Sequence, residues 1–273
     1  MSLLMKAYKE CGYHAFNVGI NDLAYGIENL QSQAEEADFP FLSANIADST
    51  GNLLFEPYTI LKHHGQRIGI VGVASSSPGA PHLQYGDVLE AAKQMREEIK
   101  DQADYMILLA SVWNSDAEHL KKQLEGYDLL IRSHTPRMSR RPDQIADGYY
   151  LQTGDQGRYI HLLEIEGYEA DQPLVDLTSE KQRLRFIELR LDRLQKQAGD
   201  KSLEEAYQGN KATLKFIEKL REQRKQLRNE VSGTQHYFAL TVQSLSPQIQ
   251  GDQKWIEAVE RFNRYVSEVT AAR

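Results

Sequence analysis

A layered α/β domain followed by an α-helical hairpin is the fold class this sequence predicts, and three observations predict it. Up to about Gly167, short apolar runs alternate with segments of helical period. The run IGIVGVA (68–74) is apolar without alternation, the pattern of a strand covered on both faces. From Leu177 the composition shifts to Glu, Lys, Arg, Gln and Leu, with no Pro and only two Gly between Thr178 and Glu230.

The start, MSLLMKAYKE, has neither the apolar core of a signal peptide nor the polarity of a tail. It reads as the interior of an amphipathic helix over Leu3–Cys11, with a preceding segment expected. Strands are expected at Ala15–Val18, Phe39–Asn45, Tyr58–Lys62, Ile68–Val73, Tyr105–Ala110, Asp128–Ile131, Tyr149–Gln152 and Tyr159–Glu166, most bounded by Gly, Pro, Asp or Asn. Helices fill the gaps at Ile27–Ala37, Val88–Gln102 and Asp116–Gly126, with Asp87 as an N-cap and Gly126 as a C-cap. His63 and His64 precede Gly65 at a hairpin turn and are expected to be solvated. Gly154-Asp155-Gln156-Gly157-Arg158 reads as a tight turn between strands.

In the second half, Leu177, Leu184, Ile187, Leu191 and Leu194 form one narrow seam. After a break at AGDKS, Ile217, Leu220, Leu227 and Val231 form another, interrupted by Arg224. Two long helices joined by a short Gly-Asp turn predict an antiparallel hairpin with a charged, solvated outer surface. An extended piece, His236–Gln243, leads through SLSPQIQGD to a last amphipathic helix from Gln253. That helix carries Trp255, Ile256, Val259, Phe262 and Val266 on one face. The organisation expected is residues 1–167 as the α/β domain, 177–232 as the hairpin, and 233–273 as an extended segment with the terminal helix. The hairpin is expected to lean on Trp255 and Phe262 or to dimerise.

Composition excludes several functions. The 273 residues carry a net charge of −7, against a general nucleic-acid binder. The longest apolar run, Tyr105 to Trp113, is about half the ~20 residues of a spanning helix. A single cysteine, Cys11, rules out an intrachain disulfide and a Cys-rich zinc site. No phosphate-binding glycine loop, nucleophile elbow or His-Glu-x-x-His occurs.

The stretch YHAFNVGINDLAYG (13–26) is the most informative. A strand runs into Gly19, and Asn21 and Asp22 follow at its C-terminal end, where α/β proteins place ligands. As a plain connection, the same residues are turn formers and a cap. Arg132, Arg137, Arg140 and Arg141 gather around His134 as a local basic cluster suited to an anion. The bland reading is a charged loop paired with Asp143 and Asp147. Arg158 has the same two readings, as an anion contact or as a turn residue.

NVGINDLAYGIENL, ADFPFLSANI, LLFEPYTILKHHGQRIGIVGV, YMILLASVWNSDAEHLKKQLEGYDLLIRSHTP and LQTGDQGRYIHLLEIE, in that order, resemble the calcineurin-like metallophosphoesterase domain of the 5′-nucleotidase family. The resemblance covers about residues 3–167 and implies a metallophosphoesterase-like sandwich. Because the matching blocks begin one helix before the family's third ligand motif, the sandwich is expected to be incomplete, with an exposed sheet edge or apolar face. The family holds two metal ions on Asp, His and Asn side chains that activate water. By the same resemblance its first two ligand blocks, Asp-x-His and Gly-Asp, have no counterpart here. Gly19-Ile20-Asn21-Asp22 stands where Gly-Asn-His-Glu or Gly-Asn-His-Asp is usual. Ser111 stands at the histidine of the fourth block. Ser133-His134-Thr135-Pro136 stands for Gly-His-x-His, leaving His134 as the one candidate metal ligand.

Two function classes follow. One is a non-catalytic scaffold or interaction module, with no catalytic residue and no cofactor, and with Asn21, Asp22, Arg132, Arg137 and Arg158 as candidate binding residues. The other is a metal-dependent phosphoesterase using divalent metal ions, its missing ligands supplied by an upstream segment or another chain. A protein partner or a homodimer is expected through the hairpin or an exposed sheet edge, with no nucleic acid. By resemblance the protein is exported, periplasmic or extracellular. Leu177 to Val266 also resembles the linker of bacterial proteins that join such a domain to a multihaem cytochrome region. No Cys-x-x-Cys-His occurs in this chain, so no c-type haem is implied.

Overall fold

In the computed structural model, which describes residues 3–167, 172–246 and 248–271, the chain divides into two compact units. The first comprises Met1–Ser139, Asp143–Ile160 and Gln243–Arg273, and the second Arg140–Pro142 and His161–Val242. Within the connection SLSPQIQGD expected before the last helix, Pro247 lies outside the described residues.

The elements of the first unit run α1 (Leu3–Glu10), β1 (Phe16–Asn17), α2 (Ile27–Glu36), β2 (Phe41–Leu42), β3 (Ile46–Ala47), β4 (Tyr58–His63), β5 (Gln66–Ala74) and β6 (Gln84–Tyr85). They continue through α3 (Val88–Ile99), β7 (Tyr105–Ser111), α4 (Asn114–Gln123), β8 (Leu129–Ser133), β9 (Asp143–Ile145) and β10 (Gly148–Gln152). A central six-stranded sheet has the order β4-β5-β7-β8-β10-β9. Its four inner strands are parallel and both edge strands antiparallel. Beside it the described residues form two short pairs, β1 with β2 and β3 with β6.

Helices α3 and α4 bury one stripe each against this sheet. Leu89, Ala92, Met95, Ile99 and Leu120 join Val71, Val73, Leu108, Ala110 and Leu130 in one apolar cluster. Side chains alternate across a strand, so Ile107, Leu109 and Ile131 point to the opposite face, where they are only half-buried. A second cluster, with Met5, Val18, Leu23, Leu30, Phe39 and Phe41, anchors α1 and α2. Gly72 marks the closest approach of β5 to β1 and β2. A Cβ there would stand 2.5 Å from Asn17 Oδ1 and 2.8 Å from Leu42 Cβ.

Several expected boundaries move, for local reasons. The expected strand Phe39–Asn45 shortens to Phe41–Leu42, and Ile46–Ala47 forms a separate strand beyond it. Between them Ser43 N donates to Glu56 O (2.9 Å), Ala44 N donates to Gly72 O (2.7 Å), and the Asn45 side chain is buried. Its Nδ2 donates to Ala74 O (2.7 Å) and Gly86 O (2.9 Å), and its Oδ1 accepts from Ala74 N (3.0 Å). Asp87 caps α3 as expected, accepting from Leu89 N and Glu90 N. Helix α4 starts earlier than expected, at Asn114, and ends at Gln123 with Leu124 as its C-cap, not Gly126. Gly126 serves the following turn, its amide donating to the Asp147 carboxylate (2.9 Å). His64 (φ 48°) and Gly65 (φ 82°) make the exposed two-residue turn between β4 and β5.

In the second unit, β11 (Tyr159–Glu166, its first two residues in the first unit) and β12 (Val175–Asp176) precede three helices. These are α5 (Thr178–Ala198), α6 (Leu203–Ala206) and α7 (Lys211–Gly233), followed by β13 (Tyr237–Ser244, its last two residues in the first unit). The three strands pair in the order β11-β13-β12. Ile187 and Leu191 of α5 pack with Leu203, Ile217, Leu220 and Leu227. The connection between the long helices is more than a Gly-Asp turn, since it contains the short α6, which Ser202 and Glu205 close with a reciprocal capping box. The last helix, α8 (Gln253–Ala271), belongs to the first unit, where Lys254 pairs with Glu10 (2.5 Å). Its Phe262 is 53% exposed. Among the described residues no helix is long and apolar enough to cross a membrane.

Candidate functional site

The C-terminal ends of β1, β7, β8 and β10 open on one cleft of about 770 Å³ within the first unit. Four separated segments meet there: Gly19–Asp22, Leu109–Ser111, Ser133–Pro136 and Thr153–Gln156. This is the end of the sheet where strand-to-helix loops gather polar groups.

The loops are closed by bonds among their own atoms. Ile20 N donates to Ser111 Oγ (3.2 Å), and Ser77 Oγ donates to Ile20 O (2.5 Å). Gly19 N donates to Asp22 Oδ2 (2.7 Å). Gly19 has no room for a side chain, since a Cβ would lie 2.8 Å from Ser111 Oγ. Burial pushes the Asp22 carboxyl above the usual aspartate range, with the Gly19 amide pulling the other way. Ser75 Oγ accepts from Trp113 N (3.0 Å) and donates to the Asp116 carboxylate, which ties β5 to the start of α4.

Of the residues singled out from the sequence, Asn21, Asp22 and His134 line the cleft. His134 sits in the left-handed region (φ 56°), its ring edge-on to Trp113 at 4.5 Å between centroids. Arg132, Arg137 and Arg158 are not among the lining residues. Arg132 is buried and turned inward, donating from Nη2 to Asn114 Oδ1 (2.7 Å) and Val112 O (3.1 Å). Arg137 is exposed, and Arg158 is exposed and bonded to Gln156 Oε1. Asp147, expected to pair with the arginines, instead accepts the Gly126 amide.

One wall of the cleft carries none of the residues singled out from the sequence. Tyr8, Tyr13 and Phe16 line it, with Tyr8 and Tyr13 stacked at 4.2 Å. The aromatic cluster around YHAF is visible in the sequence, but only the fold brings Tyr8 of α1 beside it. Among the described residues, no Lys or Arg lines the cleft.

These residues do not fit a dinuclear metal centre. Among the described residues, no group of three or more His, Cys, Asp or Glu is placed to hold a metal ion. Ile20 has no side-chain donor atom, Ser111 is a weak neutral ligand already bonded to Ile20 N, and Pro136 has no side-chain donor.

No protein-family model matches the chain. The 5′-nucleotidase of Vibrio cholerae is 34% identical over 200 residues, which is 59% of this chain and 36% of that protein. The NAD 5′-nucleotidase of Haemophilus influenzae is 26% identical over 167 residues, 57% of this chain and 25% of that protein. This chain therefore spans only about a quarter to a third of the length of such curated relatives. In three dimensions, the 5′-nucleotidase precursor from Thermus thermophilus matches with a TM-score of 0.55 at 20% identity, covering 63% of this chain and 39% of that one. A calcineurin-like phosphoesterase from Bacillus subtilis matches with a TM-score of 0.53 at 18% identity, covering 62% of each chain.

Proposed function

We propose, from the premise that about 60% of the chain is a calcineurin-like metallophosphoesterase domain of the 5′-nucleotidase family, that the domain is a non-catalytic scaffold or interaction module. We place it in an exported protein by the same kinship. The observation that carries this reading is the bond from Ile20 N to Ser111 Oγ. Two positions that the family resemblance assigns to metal ligands are here bonded to each other.

The chemistry supports it. In-line displacement at phosphorus develops negative charge that cations must neutralise, and it needs hydroxide near neutral pH. Among the described residues, the cleft offers His134 as its one imidazole, no Lys or Arg, and the carboxylates of Asp22 and Asp155. Such a lining repels a phosphate ester rather than holding it.

The retained cleft favours one alternative, a metal-dependent phosphoesterase whose remaining ligands come from outside the described residues or from another chain. Turnover of p-nitrophenyl phosphate and AMP, titrated with manganese, zinc or calcium, separates the two. The scaffold reading expects no metal-dependent rate. Turnover that His134→Ala abolishes would establish the alternative.

A further inference from the structure

We propose that the outer groove between α5 and α7 binds an acidic amphipathic helical segment of a partner protein. The proposal goes beyond the scaffold reading and holds whether or not the cleft turns over phosphate esters. The groove lies wholly within the second unit and has a volume of about 440 Å³, with an adjoining hollow of about 450 Å³ along α5.

Charge complementarity names the occupant. Arg141, Arg183, Arg190, Arg193 and Lys219 line these two hollows, and among the described residues no Asp or Glu does. That concentration runs against a chain net charge of −7. The hairpin's acids lie elsewhere: Glu188 pairs with Arg228 and Glu204 with Arg221, and none of these four lines the groove. Other faces of the hairpin mix both signs, as where Lys211, Lys215 and Arg221 lie with Glu204 and Glu218. Among the described residues the charged groups lining this groove are all cations, so this face attracts a negative partner.

The apolar part names its shape. Ile187 and Leu191 already fill the seam, so the hairpin does not need Phe186 and Leu189, which are 60% and 58% exposed. Arg190 lies over Phe216 (4.7 Å) and near the Phe186 ring (5.9 Å), so cation and aromatic surface are presented together. From Arg183 to Arg193 the helix rises ~15 Å, about three turns of a helix laid alongside. Large apolar anchors on one face and carboxylates flanking them satisfy both features.

The test uses fluorescence anisotropy with the full chain. The probe is a labelled peptide of about 18 residues, long enough for five helical turns. It carries Leu and Phe on one face and Glu on the other. Controls are a scrambled peptide of equal composition, a Lys-for-Glu analogue and a single-stranded RNA oligonucleotide. Saturable binding of the acidic amphipathic peptide, about tenfold tighter than either peptide control, is expected. Arg190→Glu with Arg193→Glu should weaken it about tenfold, Phe186→Ser should weaken it as well, and added salt should weaken it further. All three positions are exposed, and circular dichroism checks that the variants stay folded. No binding, equal binding of the scrambled peptide, or tighter binding of RNA would overturn the proposal. So would a dimer, seen by sedimentation, that Phe186→Ser dissociates, since the groove would then belong to a second copy.

Discussion

At the scale of single residues, Ser111 holds the cleft together through a bond rather than through charge. Its hydroxyl is the acceptor for the buried Ile20 amide. Removing an acceptor from a buried donor costs about 1–3 kcal/mol. Ser111→Ala should therefore destabilise the chain by that amount in urea unfolding, and a change near zero would show that the bond contributes nothing. Asp22 gives a pH-dependent counterpart. Its carboxyl is pushed up from the ordinary 3.8 by burial, so the folded chain binds that proton more tightly than the unfolded one. The stabilisation this provides is fully present below the ordinary value and is lost as pH rises through the folded value. Asn at this position can still accept from the Gly19 amide but never ionises. Asp22→Asn should thus gain stability relative to the parent between acid and neutral pH, as followed by midpoints of unfolding across that range. A relative loss toward neutral pH would contradict the burial argument.

At the scale of elements, the hairpin should divide cleanly into seam and surface. Leu191 is buried against Ile217 and Leu220, and Leu191→Ala should cost about 2–5 kcal/mol. Phe186→Ser should cost within about 0.5 kcal/mol in the same denaturation series, because its side chain lies outside the seam. Equal losses would mean that the seam lies elsewhere. The seam is legible in the sequence because Leu184, Ile187, Leu191 and Leu194 recur at helical spacing, and burial follows that spacing directly. The inner strands are legible because IGIVGVA and YMILLA are continuous apolar runs. Of the shortest strands, β1 and β2 fall within the expected ranges Ala15–Val18 and Phe39–Asn45, whereas β3, β6, β9 and β12 are not legible, since they rest on a few backbone bonds without a hydrophobic pattern of their own. The early end of β2 at Leu42 is not legible either, since Ser43 N and Ala44 N turn to Glu56 O and Gly72 O, and the Asn45 side chain to Ala74 and Gly86, partners 29 and 41 residues away. Within the site, Asn21, Asp22 and His134 can be placed from their blocks. The inward turn of Arg132 cannot, because its acceptors, Val112 O and Asn114 Oδ1, come from another strand end.

At the scale of the whole molecule, a metallophosphoesterase-like sheet carries a cleft in the expected place, while the described groups lining it do not supply a metal centre. The parallel strands still deliver their loops to one end, which is why a cleft persists when its side chains change. Its lining combines the rings of Tyr8, Tyr13 and Phe16 with His134, and no described Lys or Arg reaches it. The measurement that tests this account most directly is calorimetric titration of manganese into the chelator-treated full chain. The account predicts no stoichiometric uptake, with heats indistinguishable from those of His134→Ala. Saturable binding of two ions per chain, lost in His134→Ala, would contradict it.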